Sequence, residues 1–418
     1  MHRSLVLATT VVLVLASTAL ACLWDRDTPQ DEAIGIPEVV AVLTGRFERN
    51  PPLYYEMRLT RVRERLQDHP EELAAYDDAG VACDRLGRSD EAVSWMEQKR
   101  RQMETRELPE SERREQLYRY HANLGTFIVH RWFRNGADRT KLAEVEDARR
   151  HIAGAIAINP GAHFGREKYQ LRILDWILQP WEMSASEKQT RDELPNLLGW
   201  SFQDIYGENT EPGEAREAVQ GLAGLVVLGN AWESVDVFHA LNVALQRDSI
   251  GFERGREGGR NTLAYFAWLR CRELIDSGRR SILPGAPTGK SLKAMLPAPD
   301  FDKPELLLDG EFARLRAEAD AWHVARTEFM LGRLKTERHP DTDPDFWDGY
   351  VATPAPKLAA QSVPGAYRAR VESIRRKSLA IFVIVLLLIA GFGGWLSWRA
   401  WVRGKSKPTD ASLRTNAG

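Results

Sequence analysis

After the linker-like "DRDTPQDEAIGIPE" that ends at Glu38, apolar residues recur at three- and four-residue spacing up to Pro340, and short breaks containing Gly, Pro or Asp separate the runs. This is the spacing of amphipathic helices, and convincing strand signals are few. "YYEMRLTRVRERLQDHP" reads as a helix closed by Pro70. "EELAAYDDAGVACDRLG" and "SDEAVSWMEQKRRQ" read as two helices joined at Gly87–Arg88, with Ser89 or Asp90 available to cap the second. Further on, "GEAREAVQGLAGLVVLGNAWESVDVFHALNVALQRD" reads as another pair, with Gly221, Ala223 and Gly224 at a close crossing. "NTLAYFAWLRCRELIDSG" is a helix ending at Gly278, and "PELLLDGEFARLRAEADAWHVARTEFMLGRLK" is long and amphipathic. At 418 residues the chain is long enough for a sizeable core in one or two units.

Two segments break this amphipathic pattern because they are apolar all round. Met1 to Ala21 has a short basic start at His2 and Arg3, an apolar run from Leu5, and a small-x-small site at Ala19–Leu20–Ala21. That is the layout of a secretory signal. Cys22 follows directly and is a candidate for lipidation of the bacterial lipoprotein type; plain cleavage and a retained anchor are the alternatives. Ser378 to Trp398 is uncharged and of the length a bilayer core requires, with Trp395 and Trp398 suited to an interface. It is expected to be a transmembrane helix. Basic residues flank it on both sides, so the positive-inside rule does not orient it; the export signal does. The region from Cys22 to about Arg376 is expected outside the cytoplasmic membrane of a bacterium, in the periplasm, with the tail inside.

Small residues carry the next inference. In "EDARRHIAGAIAINPGAHFG", Ala148 and Ala155 are small where a neighbouring helix approaches, Ile152 fills the gap between them, and Pro160 stops the helix because it lacks a backbone donor. Leu124–Gly125 offers a second small position, and Ala79–Gly80, Cys83, Gly87, Ala92 and Met96 offer the same series one unit earlier. On these positions the chain resembles the tetratricopeptide-repeat (TPR) family. The resemblance covers roughly Leu53 to Leu178, as two matched units and a partial third, with "RNGADRTKLAE" inserted in the second. It implies an all-α fold, a TPR-like α-solenoid of helix pairs, with a diverged helical C-terminal half and one C-terminal transmembrane helix.

The expected organisation is a signal at 1–21, a linker or N-terminal segment at 22–52, repeats at 53–178, a diverged helical region at 179–338, and a proline-rich spacer at 339–365. A juxtamembrane helix at 366–377, the membrane span at 378–398 and a cytoplasmic tail at 399–418 complete it. The diverged region continues the solenoid or forms a separate bundle.

Motifs for chemistry are thin. "GAPTGKS", Gly285 to Ser291, has three residues where a phosphate loop needs four, and no strand precedes it. Asp341, Asp343 and Asp345 alternate as in a calcium loop, but Phe346 and Ala352 stand where that loop requires Gly and Glu. His121, His130, His151, His163, His239, His323 and His339 form no His-Glu-x-x-His pair, and no Cys-x-x-Cys or Gly-x-Ser-x-Gly occurs. Of three cysteines, Cys83 and Cys271 remain beside Cys22; they pair or stay as buried thiols. No enzyme, cofactor or metal is expected. A net charge of −2 with mixed signs gives no footprint for nucleic acid.

What remains is surface. In tetratricopeptide folds the first helix of each pair lines a concave face that contacts peptides. The resemblance places Asp77, Asp84, Arg85, Thr126 and His130 on that groove. The family's Lys/Asn clamp for a peptide carboxylate is missing, since Asp77 and Val81 stand where it would begin. The expected role is that of a membrane-held scaffold for a protein or peptide partner, with self-assembly into homo-oligomers as the alternative.

Overall fold

A computed structural model describes residues 38–160, 166–181, 194–200, 212–228, 231–250, 259–296, 298–299 and 305–355, and no strand occurs among them. The helices are α1 (Val39–Thr44), α2 (Pro52–Asp68), α3 (Leu73–Arg85), α4 (Ser89–Glu104), α5 (Glu110–Arg134) and α6 (Leu142–Ile158). They continue with α7 (Arg166–Leu178), α8 (Pro212–Val227), α9 (Val235–Ile250), α10 (Gly259–Asp276), α11 (Gly289–Ala294) and α12 (Glu305–Leu334). The protein is all-α over these residues. The signal segment, Cys22, residues 356–377, the membrane-span candidate and the tail lie outside them. No helix among the described residues is long and apolar enough to cross a membrane.

From α2 to α10 every helix packs on its successor, and α3 also packs directly on α5. The turns follow from backbone chemistry. Gly87 takes a left-handed φ of 77° between α3 and α4, where the Arg88 N–H reaches back to the Cys83 carbonyl at 2.8 Å. Ser89 opens α4, yet its hydroxyl accepts from Arg134 Nη1 at 2.8 Å instead of capping the helix. α6 ends at Ile158, one residue short of the Asn159–Pro160 pair.

Close approach between helices depends on the small residues. Ala79, Ala92, Ala148 and Ala155 are fully buried, as are Met96 and Ile152 between them. A Cβ on Gly80 would lie 2.8 Å from Phe127 Cε2; one on Gly125 would lie 2.9 Å from the Ala148 carbonyl oxygen and 2.8 Å from Ile152 Cδ1. Gly221 meets the Tyr169 ring in the same way, so the crossing expected at Gly221–Gly224 brings α8 against α7. A single apolar cluster runs from Val40 to Leu315 and draws residues from every helix α1–α12. The described helices after Leu178 therefore share one core with those before it. Cys83 and Cys271 are both buried and free.

Within the linker or N-terminal segment at 22–52, Val39–Thr44 forms a helix with Val40, Val42 and Leu43 buried against α8, α10 and α12. "VVAVLT" is apolar on every side, and such a turn is stable only when surrounded. Gly45 ends it at φ 87° and presses on the Trp232 ring, where no side chain fits. The spacer reading of 339–365 fails for its described part. Phe346 is fully buried with Tyr54, Met330 and Leu334, Arg58 forms a buried ion pair with Asp341 at 2.7 Å, and Arg46 donates to the Thr353 carbonyl at 2.6 Å. α12 and the residues after it thus return to α1 and α2.

Gly125→Ala tests the close approach. Its methyl group meets backbone at Ala148, which cannot swing aside, so the variant should lose about 1–3 kcal/mol in urea denaturation. Adding Ile152→Val should recover only part of that loss.

Candidate functional site

α5 and α7 meet where Gln170 Nε2 donates to Thr126 Oγ1 at 3.0 Å, and beside that contact lies a cavity of about 610 Å³, which falls in the size range of ligand sites. Thr126, Val129, His130, Phe133 and Arg134 from α5 face Gln170, Ile173, Leu174 and Trp176 from α7. Leu225 of α8, Asp236 and Val237 of α9, and the Gly278–Ile282 turn after α10 complete the wall. The spacing on α5 explains the lining: residues 126, 129, 130, 133 and 134 lie three and four apart and so share one face.

The floor is apolar and the rim is basic. Phe133, Ile173 and Ile282 are partly exposed, while Arg279 and Arg280 are exposed and His130 and Arg134 less so. Arg279 pairs with Glu233 across the rim. Arg280 has no carboxylate within ion-pair distance among the described residues. Asp236 is buried and accepts from Ser281 Oγ at 2.6 Å and the Ile282 N–H at 3.0 Å. Burial pushes its carboxyl up to about 6, and those two donors limit the rise.

Behind the rim lies a charged cluster that orients it. Asp84 of α3 is fully buried; its Oδ2 lies 2.9 Å from His130 Nδ1 and its Oδ1 accepts from Arg134 Nη1 at 2.6 Å. Arg134 Nη2 also donates to the Asp84 carbonyl at 2.7 Å. Burial pushes the Asp84 carboxyl up, but its His130 and Arg134 partners outweigh burial and hold it well below the usual carboxylate range. His130 and Arg134 are thereby fixed from below.

The five groove residues expected from sequence divide accordingly. Thr126 and His130 line the cavity, although Thr126 is buried, donates to the Ala122 carbonyl at 2.8 Å and accepts from Gln170 Nε2 at 3.0 Å. Asp77 is corrected: it is buried, accepts from Lys99 Nζ at 2.6 Å and from Asn123 Nδ2 at 3.1 Å, and faces no open groove. Burial drives the Asp77 carboxyl up and the Lys99 ammonium down, as expected for a pair withdrawn from water. Asp84 is corrected too, since it sits beneath the rim residues and not among them. Arg85 donates to the Leu228 carbonyl at 2.8 Å, tying α3 to the end of α8. The physical reason is shared: α3 touches both α4 and α5, so its polar side chains meet neighbouring helices before they meet solvent.

Sequence reasoning missed Arg134, Gln170, Trp176, Asp236 and Arg280. Trp176 and Gln170 were legible in principle as residues of the partial third unit's first helix. Arg280 was not, because it lies in a turn whose return to α5 is a tertiary fact. The aspartates 341 and 343 face Arg58 and Arg338, so their charges are already answered.

Titration of buried groups has a readable sign. Burial pushes His121, His239 and His323 down to about 4 from an ordinary 6.5, so the fold holds them neutral. Their contribution is present above pH 6.5 and is lost as pH falls from there through 4. Asp236 acts oppositely, its contribution being present below pH 3.8 and lost as pH rises through 6. The histidines outnumber it, so the urea midpoint should fall between pH 7 and pH 5. A midpoint that rises over that interval would contradict the assignment.

No protein-family model matches the chain, and neither a curated protein nor a solved structure is significantly similar to it.

Proposed function

We propose that the protein is a non-enzymatic, membrane-anchored scaffold that holds a protein partner outside the bacterial cytoplasm, with α5 and α7 as first helices of successive TPR-like units. The observation that carries this reading is the cavity between those two helices. Their register places Thr126 and His130 on its wall, the side that the resemblance assigns to ligands. The cavity couples an apolar floor to oriented basic groups, the usual composition of a recognition site. Its carboxylates support the same reading. Asp84 and Asp236 are both buried and spent on neighbouring groups, which suits positioning and not proton transfer to a substrate.

Site-specific photocrosslinking in intact cells tests the scaffold role. A photoreactive residue at Phe133, in the cavity, should yield a discrete partner adduct. The same residue at Glu146, exposed on the second helix of that unit, should not. Equal adducts at both positions, or none at Phe133, would refute the reading.

The membrane reading rests on the apolar run Ser378–Trp398 and the signal-like Met1–Ala21. A phosphatase reporter joined after Gly418 should be inactive and one joined after Ala355 active. The reverse pattern would place the bulk of the chain on the cytoplasmic side.

A further inference from the structure

Building on the scaffold reading, we infer that the cavity selects an extended peptide segment in which a bulky apolar residue is flanked by acidic ones. The charge balance of the walls sets the sign. His130, Arg134, Arg279 and Arg280 stand at the rim. The carboxylates that could answer them are unequally placed. Asp84 has no exposed surface and is saturated by His130 and Arg134, while Asp236 is buried and committed to Ser281 and the Ile282 N–H. Glu233 is exposed but engages Arg279. Arg280 is left with its charge unanswered among the described residues, at the edge of an apolar floor. A carboxylate delivered there gains a guanidinium partner without first displacing an acid of the described residues.

The floor sets the second requirement. Phe133, Ile173 and Ile282 are only partly covered, and they face one another from α5, α7 and the turn after α10. Covering them favours insertion of a Leu- or Phe-sized side chain. The walls resist deformation, because Val129, Leu174, Leu225 and Val237 beneath them belong to the continuous core. Apolar contact thus supplies affinity and Arg280 supplies charge selection.

The test uses the full chain in nanodiscs and fluorescein-labelled octapeptides. Each carries Leu, Phe or Ser at the centre and Asp, Lys or Ser at the flanks. Binding should be tightest for Leu or Phe flanked by Asp and should weaken between 50 mM and 500 mM salt. Arg280→Glu changes an exposed side chain outside the core, and it should reduce affinity for the Asp-flanked probe by about three- to tenfold while improving the Lys-flanked one. Phe133→Ala should weaken both probes alike. An unchanged preference in Arg280→Glu, or equal binding of central Ser and central Leu, would overturn the inference. If no octapeptide binds while Phe133 still crosslinks a partner, the peptide inference falls and the scaffold reading stands. If neither occurs, both fall.

Discussion

The distance between neighbouring helices constrains everything else in this molecule. Gly80 admits the Phe127 ring, Gly125 admits the Ala148 carbonyl and Ile152, and Gly221 admits the Tyr169 ring. At each crossing a side chain one carbon larger would have to displace backbone or aromatic atoms. Interiors packed to this density tolerate such changes poorly. The cavity beside α5 and α7 lies within this tightly stacked series, where Gln170 of α7 reaches Thr126 of α5 at 3.0 Å.

Charges inside the stack give orientation more than stability. Asp77 joins α3 to Lys99 of α4 and Asn123 of α5, and Asp84 joins α3 to His130 and Arg134. Withdrawing such groups from water costs about as much as their attraction returns, so they are poor stabilisers. Their geometry is specific, however, and a helix that slipped by one residue would leave a carboxylate buried alone. The same logic operates around Trp232, whose ring lies beneath Arg270 at 3.8 Å and near Arg49 and Arg316, with Glu273 accepting from Arg270 and Arg316.

Helix content, turn positions and the small-residue crossings were legible in the sequence, because each follows from local periodicity and side-chain size. Ala148, Ile152 and Ala155 occupy the roles their spacing implied. Position along a helix put Thr126 and His130 on the face of α5 that lines the cavity, but it did not reveal that Asp77 and Asp84 meet α4 and α5 before they meet solvent. Residues 339–355 were misread for a different reason. A proline-rich stretch carries no periodicity, and its order comes from partners about 280 to 310 positions away, as with Arg58–Asp341 and Arg46–Thr353.

That last pairing has a mechanical consequence. Thr353 hangs on a guanidinium seven residues past the start of α1, and Asp341 hangs on α2. Tension applied to the chain beyond Ala355 therefore reaches the first helices as soon as it reaches the last. The series is fastened end to beginning, so it resists being drawn out like a spring, and a tug on its C-terminal side is borne by Arg46 and Arg58 before any crossing between α3 and α9 feels it.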